Sequence, residues 1–127
     1  MEIEESFIRK YIKKQRRDRI YYELTNTKKR KDAIGRFCHN AEDFLDRRKI
    51  TYQGTDMAEG IELINRFSEK ECYTISWDDE IDGGVYPALE AIDKINAVGM
   101  ASIAIFENFC IVKTEQEQGP AEIFLLI

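Results

Sequence analysis

Cys72-Tyr73-Thr74-Ile75-Ser76-Trp77 runs directly into Asp78-Asp79-Glu80-Ile81-Asp82-Gly83-Gly84, and the fold turns on how this passage is read. Cys72, Thr74 and Ser76 alternate with Tyr73, Ile75 and Trp77, an aromatic and branched pattern that predicts a buried strand. The acidic run closes on two glycines and predicts a loop. In α/β architectures the loop leaving a strand's carboxyl end is where ligands tend to sit. Pro87 suits the first turn of a following helix. Its apolar stripe is Ala88, Leu89, Ile92, Ile95 and Val98, and Gly99 is placed for a left-handed cap. Ala101 to Phe106 is apolar apart from Ser102, as expected of a central strand. The passage therefore predicts a strand-helix-strand unit, with a right-handed crossover if the two strands run parallel.

Downstream, Glu107-Asn108 breaks the chain before Phe109-Cys110-Ile111-Val112, which predicts a hairpin. Gln118-Gly119-Pro120 reads as another turn, and Glu122 to Ile127 as a last strand. Upstream, Ile3, Phe7, Ile8, Tyr11 and Ile12 form one stripe of a helix over residues 2–14. Glu2, Glu4 and Glu5 at its start and Lys10, Lys13 and Lys14 near its end complement the helix dipole. A second helix is expected over 16–24, with Ile20, Tyr21 and Leu24 inward. Thr27 is placed to cap a third over 28–38, carrying Ala33, Ile34 and Phe37. His39-Asn40 marks a bend before a short helical piece that buries Phe44 and Leu45. Ile50 to Gln53 reads as a short strand or extended link. Asp56 is placed to cap a helix to about Glu69, with Met57, Ile61, Ile64 and Phe67 on one face. The expected fold is α+β: N-terminal helices over about 2–46 packed with a small mixed sheet from the C-terminal half, all in one domain.

The chain's 127 residues, 43% hydrophobic and 34% charged, suit one moderate core and exclude a disordered tail. No apolar run approaches the ~20 residues needed to cross a bilayer. The start Met1-Glu2-Ile3-Glu4-Glu5 is acidic where a secretory signal is basic and then apolar. Cytoplasmic location is the resulting expectation. Cys38, Cys72 and Cys110 are odd in number, far apart and in apolar contexts, which predicts reduced core thiols.

The net charge of −5 divides sharply along the chain. Residues 1–50 carry 15 Lys and Arg against 9 Asp and Glu, while residues 51–127 carry 4 against 15. Such asymmetry bears on partners rather than on fold. Asp78, Asp79, Glu80 and Asp82 form the candidate acidic surface, able to receive Lys and Arg from a basic protein partner. Arg16, Arg17 and Lys28, Lys29, Arg30 and Lys31, with tyrosines interleaved, form an alternative nucleic-acid surface. Four cations at the start of the third helix oppose its dipole, which also points to an anion.

Asp78, Glu80, Asp82 and Gly83 match positions one, three, five and six of a calcium loop. Position twelve is Leu89 rather than glutamate, so no metal ligand is assigned. Cys38 and His39 diverge by about 100° on a helix and do not naturally meet. No P-loop, nucleophile elbow or zinc-protease motif occurs. No catalytic residue or cofactor is assigned, and the reading leans away from an enzyme. A metal-dependent enzyme at the acidic loop is the remaining alternative.

Arg17-Asp18-Arg19-Ile20-Tyr21-Tyr22-Glu23-Leu24, Lys28-Lys29-Arg30 and Gly35-Arg36-Phe37-Cys38-His39-Asn40-Ala41 resemble a family of small bacterial proteins of unassigned activity. Cys72 to Ser76, Ile81-Asp82-Gly83 and Thr114-Glu115-Gln116 extend the resemblance over most of the chain. It implies a bacterial cytoplasmic source and a single domain, and carries no activity or catalytic residues. In size and charge the chain also looks like immunity proteins that neutralise toxin domains. The function expected is a non-enzymatic protein-binding module, with an immunity-type inhibitor of a basic toxin as its most specific form.

Overall fold

The computed structural model describes residues 3–115 and 119–127. Met1, Glu2, Gln116 and Gln118, which enter the expectations above, lie outside the described residues. A six-stranded sheet forms the middle layer. Its strands are β1 (Ile50–Gly54), β2 (Glu71–Ser76), β3 (Val85–Pro87), β4 (Ser102–Ile105), β5 (Cys110–Lys113) and β6 (Ile123–Leu126). Their order is β1-β6-β5-β4-β2-β3, and every pairing is antiparallel.

Four helices, α1 (Ile3–Tyr11), α2 (Arg17–Thr25), α3 (Arg30–His39) and α4 (Ala41–Phe44), precede the sheet. They cover one face, where Phe7, Ile34 and Phe37 join a core with Ile75, Ile103, Val112 and Phe124. Helices α5 (Ala58–Phe67) and α6 (Ala88–Ala97) cover the other face, where Leu63, Ile92 and Ile95 meet Ala104, Phe106, Ile111 and Leu125. Successive side chains of a strand point to opposite faces. Cys110 and Val112 therefore enter one core and Ile111 the other, as do Phe124 and Leu126 against Ile123 and Leu125. Burial on both faces explains why these strands read as unbroken apolar runs. Such runs reflect coverage on two sides rather than parallel pairing. The α+β class holds, with the N-terminal helices packed on the sheet, and the expected mixed sheet is antiparallel throughout.

The strand-helix-strand unit exists in altered form. After β2 the chain doubles back as β3, then α6 returns it to β4 on the far side of β2. The parallel pair is thus β3 and β4, with β2 between them, and Pro87 both ends β3 and precedes the helix. Val98 follows α6 in extended conformation, and the left-handed glycines are Gly83 and Gly119 rather than Gly99. Asn26, not Thr27, organises the turn before α3, its side chain accepting from the Lys28 amide. Asp56 caps α5 as expected, accepting from the Ala58 amide at 2.9 Å. Leu89 and Ile61, assigned to apolar stripes, are exposed instead, because Ala91 and Leu63 face the sheet in their place. The Glu107-Asn108 hairpin is clamped by Glu69, whose carboxylate accepts both backbone amides at 3.1 and 2.9 Å.

Cys38, Cys72 and Cys110 are free and buried. Burial pushes the Cys72 thiol up to about 12 and raises those of Cys38 and Cys110 as well. It also raises the Tyr11 phenol, whose buried hydroxyl has no hydrogen-bond partner among the described residues. In the unfolded chain these groups release protons near their ordinary values of 9.0 and 10.0. Above about pH 9 the unfolded state therefore binds fewer protons than the folded one, and stability falls as pH rises. Urea titrations from pH 7 to 10.5 should show a flat response to about pH 8.5 and then a steepening loss, reduced in Cys38→Ala.

Candidate functional site

The β2–β3 loop is built around its carboxylates. Asp78 accepts the Glu80 amide on its side chain and the Asp82 amide on its carbonyl, and Ser76 Oγ accepts the Asp78 amide. Thr74 donates its hydroxyl to the Ile81 carbonyl, and Gly83 adopts a φ of 76° that disfavours any side chain. Ile81 is buried. The loop is a knitted turn with its apolar residue inside.

Asp82 faces inward. Its carboxylate takes Arg30 Nε at 2.8 Å and Nη2 at 2.9 Å, and it also accepts the Ser76 amide at 3.0 Å. The same guanidinium holds both oxygens of Glu4 at 2.7 Å and the Leu24 carbonyl at 3.0 Å. Arg30 thus uses all five of its N–H donors. Tyr73 adds its hydroxyl to Glu4 at 2.5 Å. The two carboxylates raise the Arg30 pKa above its ordinary value despite its partial burial. Beside this clamp, Lys31 lies 4.2 Å above the Trp77 ring and 3.1 Å from Asp79.

The two rival surfaces expected from sequence therefore meet each other. Arg30 and Lys31, assigned to a nucleic-acid face, bind Asp82 and Asp79, assigned to a partner face. Asp82 is fully engaged within the molecule and Asp78 organises the turn. Asp79 and Glu80 remain on the surface, Asp79 beside Lys31. Lys28 and Lys29 are exposed at the α2–α3 turn. Arg16 is exposed and Arg17 half-buried at the start of α2, near the opposite end of that helix.

Acidic residues also gather at the opposite, amino-terminal end of β2. A groove of about 750 Å³ lies between the start of α1 and the ends of β2, β3 and β4. Ile3 and Val85 line it, 46% and 54% exposed; Ile3 is the one residue of the α1 stripe left outside the core. Glu69, Glu71 and Glu107 stand on its walls with Lys70. Sequence reading missed this groove because its residues come from four separate elements, and only the alternating β2 register brings Glu71 and Tyr73 to it.

The adjacent thiol and imidazole of Cys38 and His39 do not meet. Cys38 is buried while His39 is exposed at the end of α3, and raised thiol pKa values disfavour the reactive thiolate. Among the described residues no group of three His, Cys, Asp or Glu is placed to hold a metal ion, and no helix is long and apolar enough to cross a membrane. No protein-family model, curated protein or solved structure matches this chain.

Lysine offers three donors where arginine offers a planar fork of five. Arg30→Lys should lower stability by about 1.5–3 kcal/mol, because buried acceptors lose their partners. Lys31→Ala, at an exposed pair, should change it by about 0.5–1 kcal/mol at most. Urea unfolding followed by Trp77 fluorescence distinguishes the two.

Proposed function

We propose that this chain is a non-enzymatic protein-binding module that takes a basic partner on its acidic edge. The observation that supports the reading is the groove beside β3, where exposed Ile3 and Val85 lie among Glu69, Glu71 and Glu107. Apolar anchors within a charged rim are the arrangement of energetic centres in protein interfaces. Glu69 is tied to the hairpin amides, so Glu71 and Glu107 are the carboxylates left to receive cations. Asp79 and Glu80, at the other end of β3, extend the negative field and speed encounter with a cationic surface.

The contact centre thus moves from the loop Asp78–Asp82 to the groove, since the loop's inner carboxylate serves Arg30. The most specific form of the reading is an immunity-type inhibitor that covers the cationic substrate cleft of a toxin domain. Such a role needs no catalytic group, only a rigid acidic surface of matching shape.

A synthetic peptide of alternating lysine and leucine, titrated calorimetrically, tests the site. The wild type should bind it at 50 mM salt and lose most of the affinity by 300 mM. Glu71→Gln with Glu107→Gln and Val85→Ser should weaken binding at least about tenfold, a loss of ~1.4 kcal/mol. Asp78→Asn with Asp82→Asn, corrected for lost stability, should not. Equal affinity of the wild type and the groove variant would refute the groove.

A further inference from the structure

Strand β3 closes one edge of the sheet, with β2 on its inner side and no described strand on its outer side. In an antiparallel pair, alternate residues turn their backbone N–H and C=O groups toward the partner strand. The inward set of β3 is fixed at both ends. Thr74 donates its amide to the Gly84 carbonyl at 2.9 Å, and Ala88 donates its amide to the Lys70 carbonyl at 3.0 Å. Tyr86, midway between Gly84 and Ala88 and opposite Cys72, belongs to the same set. Val85 and Pro87 therefore turn their backbone groups outward. Val85 presents an N–H and a C=O, which no loop or side-chain group takes up among the described residues. Pro87, without an N–H, presents a C=O alone.

Side chains opposite each other across such a pair share one face of the sheet. Tyr73 is paired with Val85 and Glu71 with Pro87, so these four residues lie on one face. It is the face covered by the N-terminal helices, where Tyr73 packs on their core. Ile3, at the start of α1, lines the same groove as Val85 and Glu71. A strand added antiparallel to β3 would set the side chain opposite Val85 into this groove. Two residues earlier, the side chain opposite Pro87 would reach the same face. About 10 Å, two strand spacings, then separates its backbone from Glu71, a gap that a lysine or arginine and a glutamate side chain together span. On the other face Lys94 lies 4.8 Å from the centre of the Tyr86 ring, and a neutral residue suits that side.

We propose that the basic partner adds an extended segment to the β3 edge, with an apolar residue opposite Val85 and lysine or arginine opposite Pro87. The proposal rests on the acidic-groove reading and names the conformation and register of what binds there. An antiparallel partner exchanges both bonds of Val85 with a single opposite residue, which suits an edge offering one complete N–H and C=O pair. Pro87 accepts a third bond and, having no donor, ends the pairing. Charge selects this occupant over a second copy of the chain. Two β3 edges brought together would face Glu71 of one copy toward the acidic edge of the other, and like charges across paired strands oppose association.

A capped peptide of sequence lysine-threonine-valine-threonine-lysine, titrated by NMR into the intact protein at 50 mM salt, tests the added strand. Exchange of the Val85 amide proton should slow at least about tenfold at saturation, while that of Tyr86, already paired with β2, changes much less. Methylating the peptide's valine nitrogen removes the donor to the Val85 carbonyl and should weaken binding at least about tenfold. Methylating the nitrogen of the following threonine, which faces away from β3, should change affinity less than about twofold. No binding by this peptide or by the lysine and leucine peptide would overturn both the groove and the added strand. Binding with equal losses from the two methylations, or with the Val85 amide unprotected, would overturn the added strand and leave the groove standing.

Discussion

One guanidinium joins three parts of this molecule that are far apart in sequence. Arg30 opens α3, Glu4 opens α1, and Asp82 closes the loop between β2 and β3. With all five donors engaged at 2.7–3.0 Å, it fixes the helical layer against the carboxyl end of β2. Both side-chain partners are only about one-fifth exposed or less, so the pairs are shielded far more than surface bridges. Removing one member would leave charge stranded in a poorly solvated place, which is where ion pairs become costly to break. The site geometry depends on this clamp. It turns Asp82 away from solvent, seats the start of α1 beside β2, and thereby leaves Ile3 at the mouth of the acidic groove.

The sheet separates the two halves of the charge pattern. Helices α1 to α4 come from the basic half and cover one face, while α5 and α6 come from the acidic half and cover the other. Charge segregation along the chain thus becomes segregation across the fold, with the clamp as one of the places where the signs meet. The proposed acidic surface uses what that meeting leaves over. The groove beside β3 retains Glu71 and Glu107.

Local pattern made most elements legible. The stripe of Phe7, Ile8 and Tyr11 marked α1, alternation marked β2, and Asp56 marked the start of α5. What pattern could not supply was pairing. Ala101 to Phe106 reads as a central strand because both faces are buried, and that signal carries no information about direction, so the sheet was expected to be mixed. Val85 to Pro87 is too short to register as a strand, and in sequence Pro87 alone reads as a helix start. Of the candidate site, the acidic and basic residues were visible by composition. That Asp82 and Arg30 would bind each other was not, since 52 residues lie between them and no local rule selects such a pair.

The central claim is that Arg30 couples the helical layer to the β2–β3 loop. A double-mutant cycle on Glu4→Gln and Asp82→Asn, read by urea unfolding, tests it most directly, because these two side chains meet only through Arg30. Shared contact through one guanidinium predicts non-additive losses, with an interaction energy of about 1 kcal/mol or more. Additivity within about 0.3 kcal/mol would show two independent surface contacts and contradict the account.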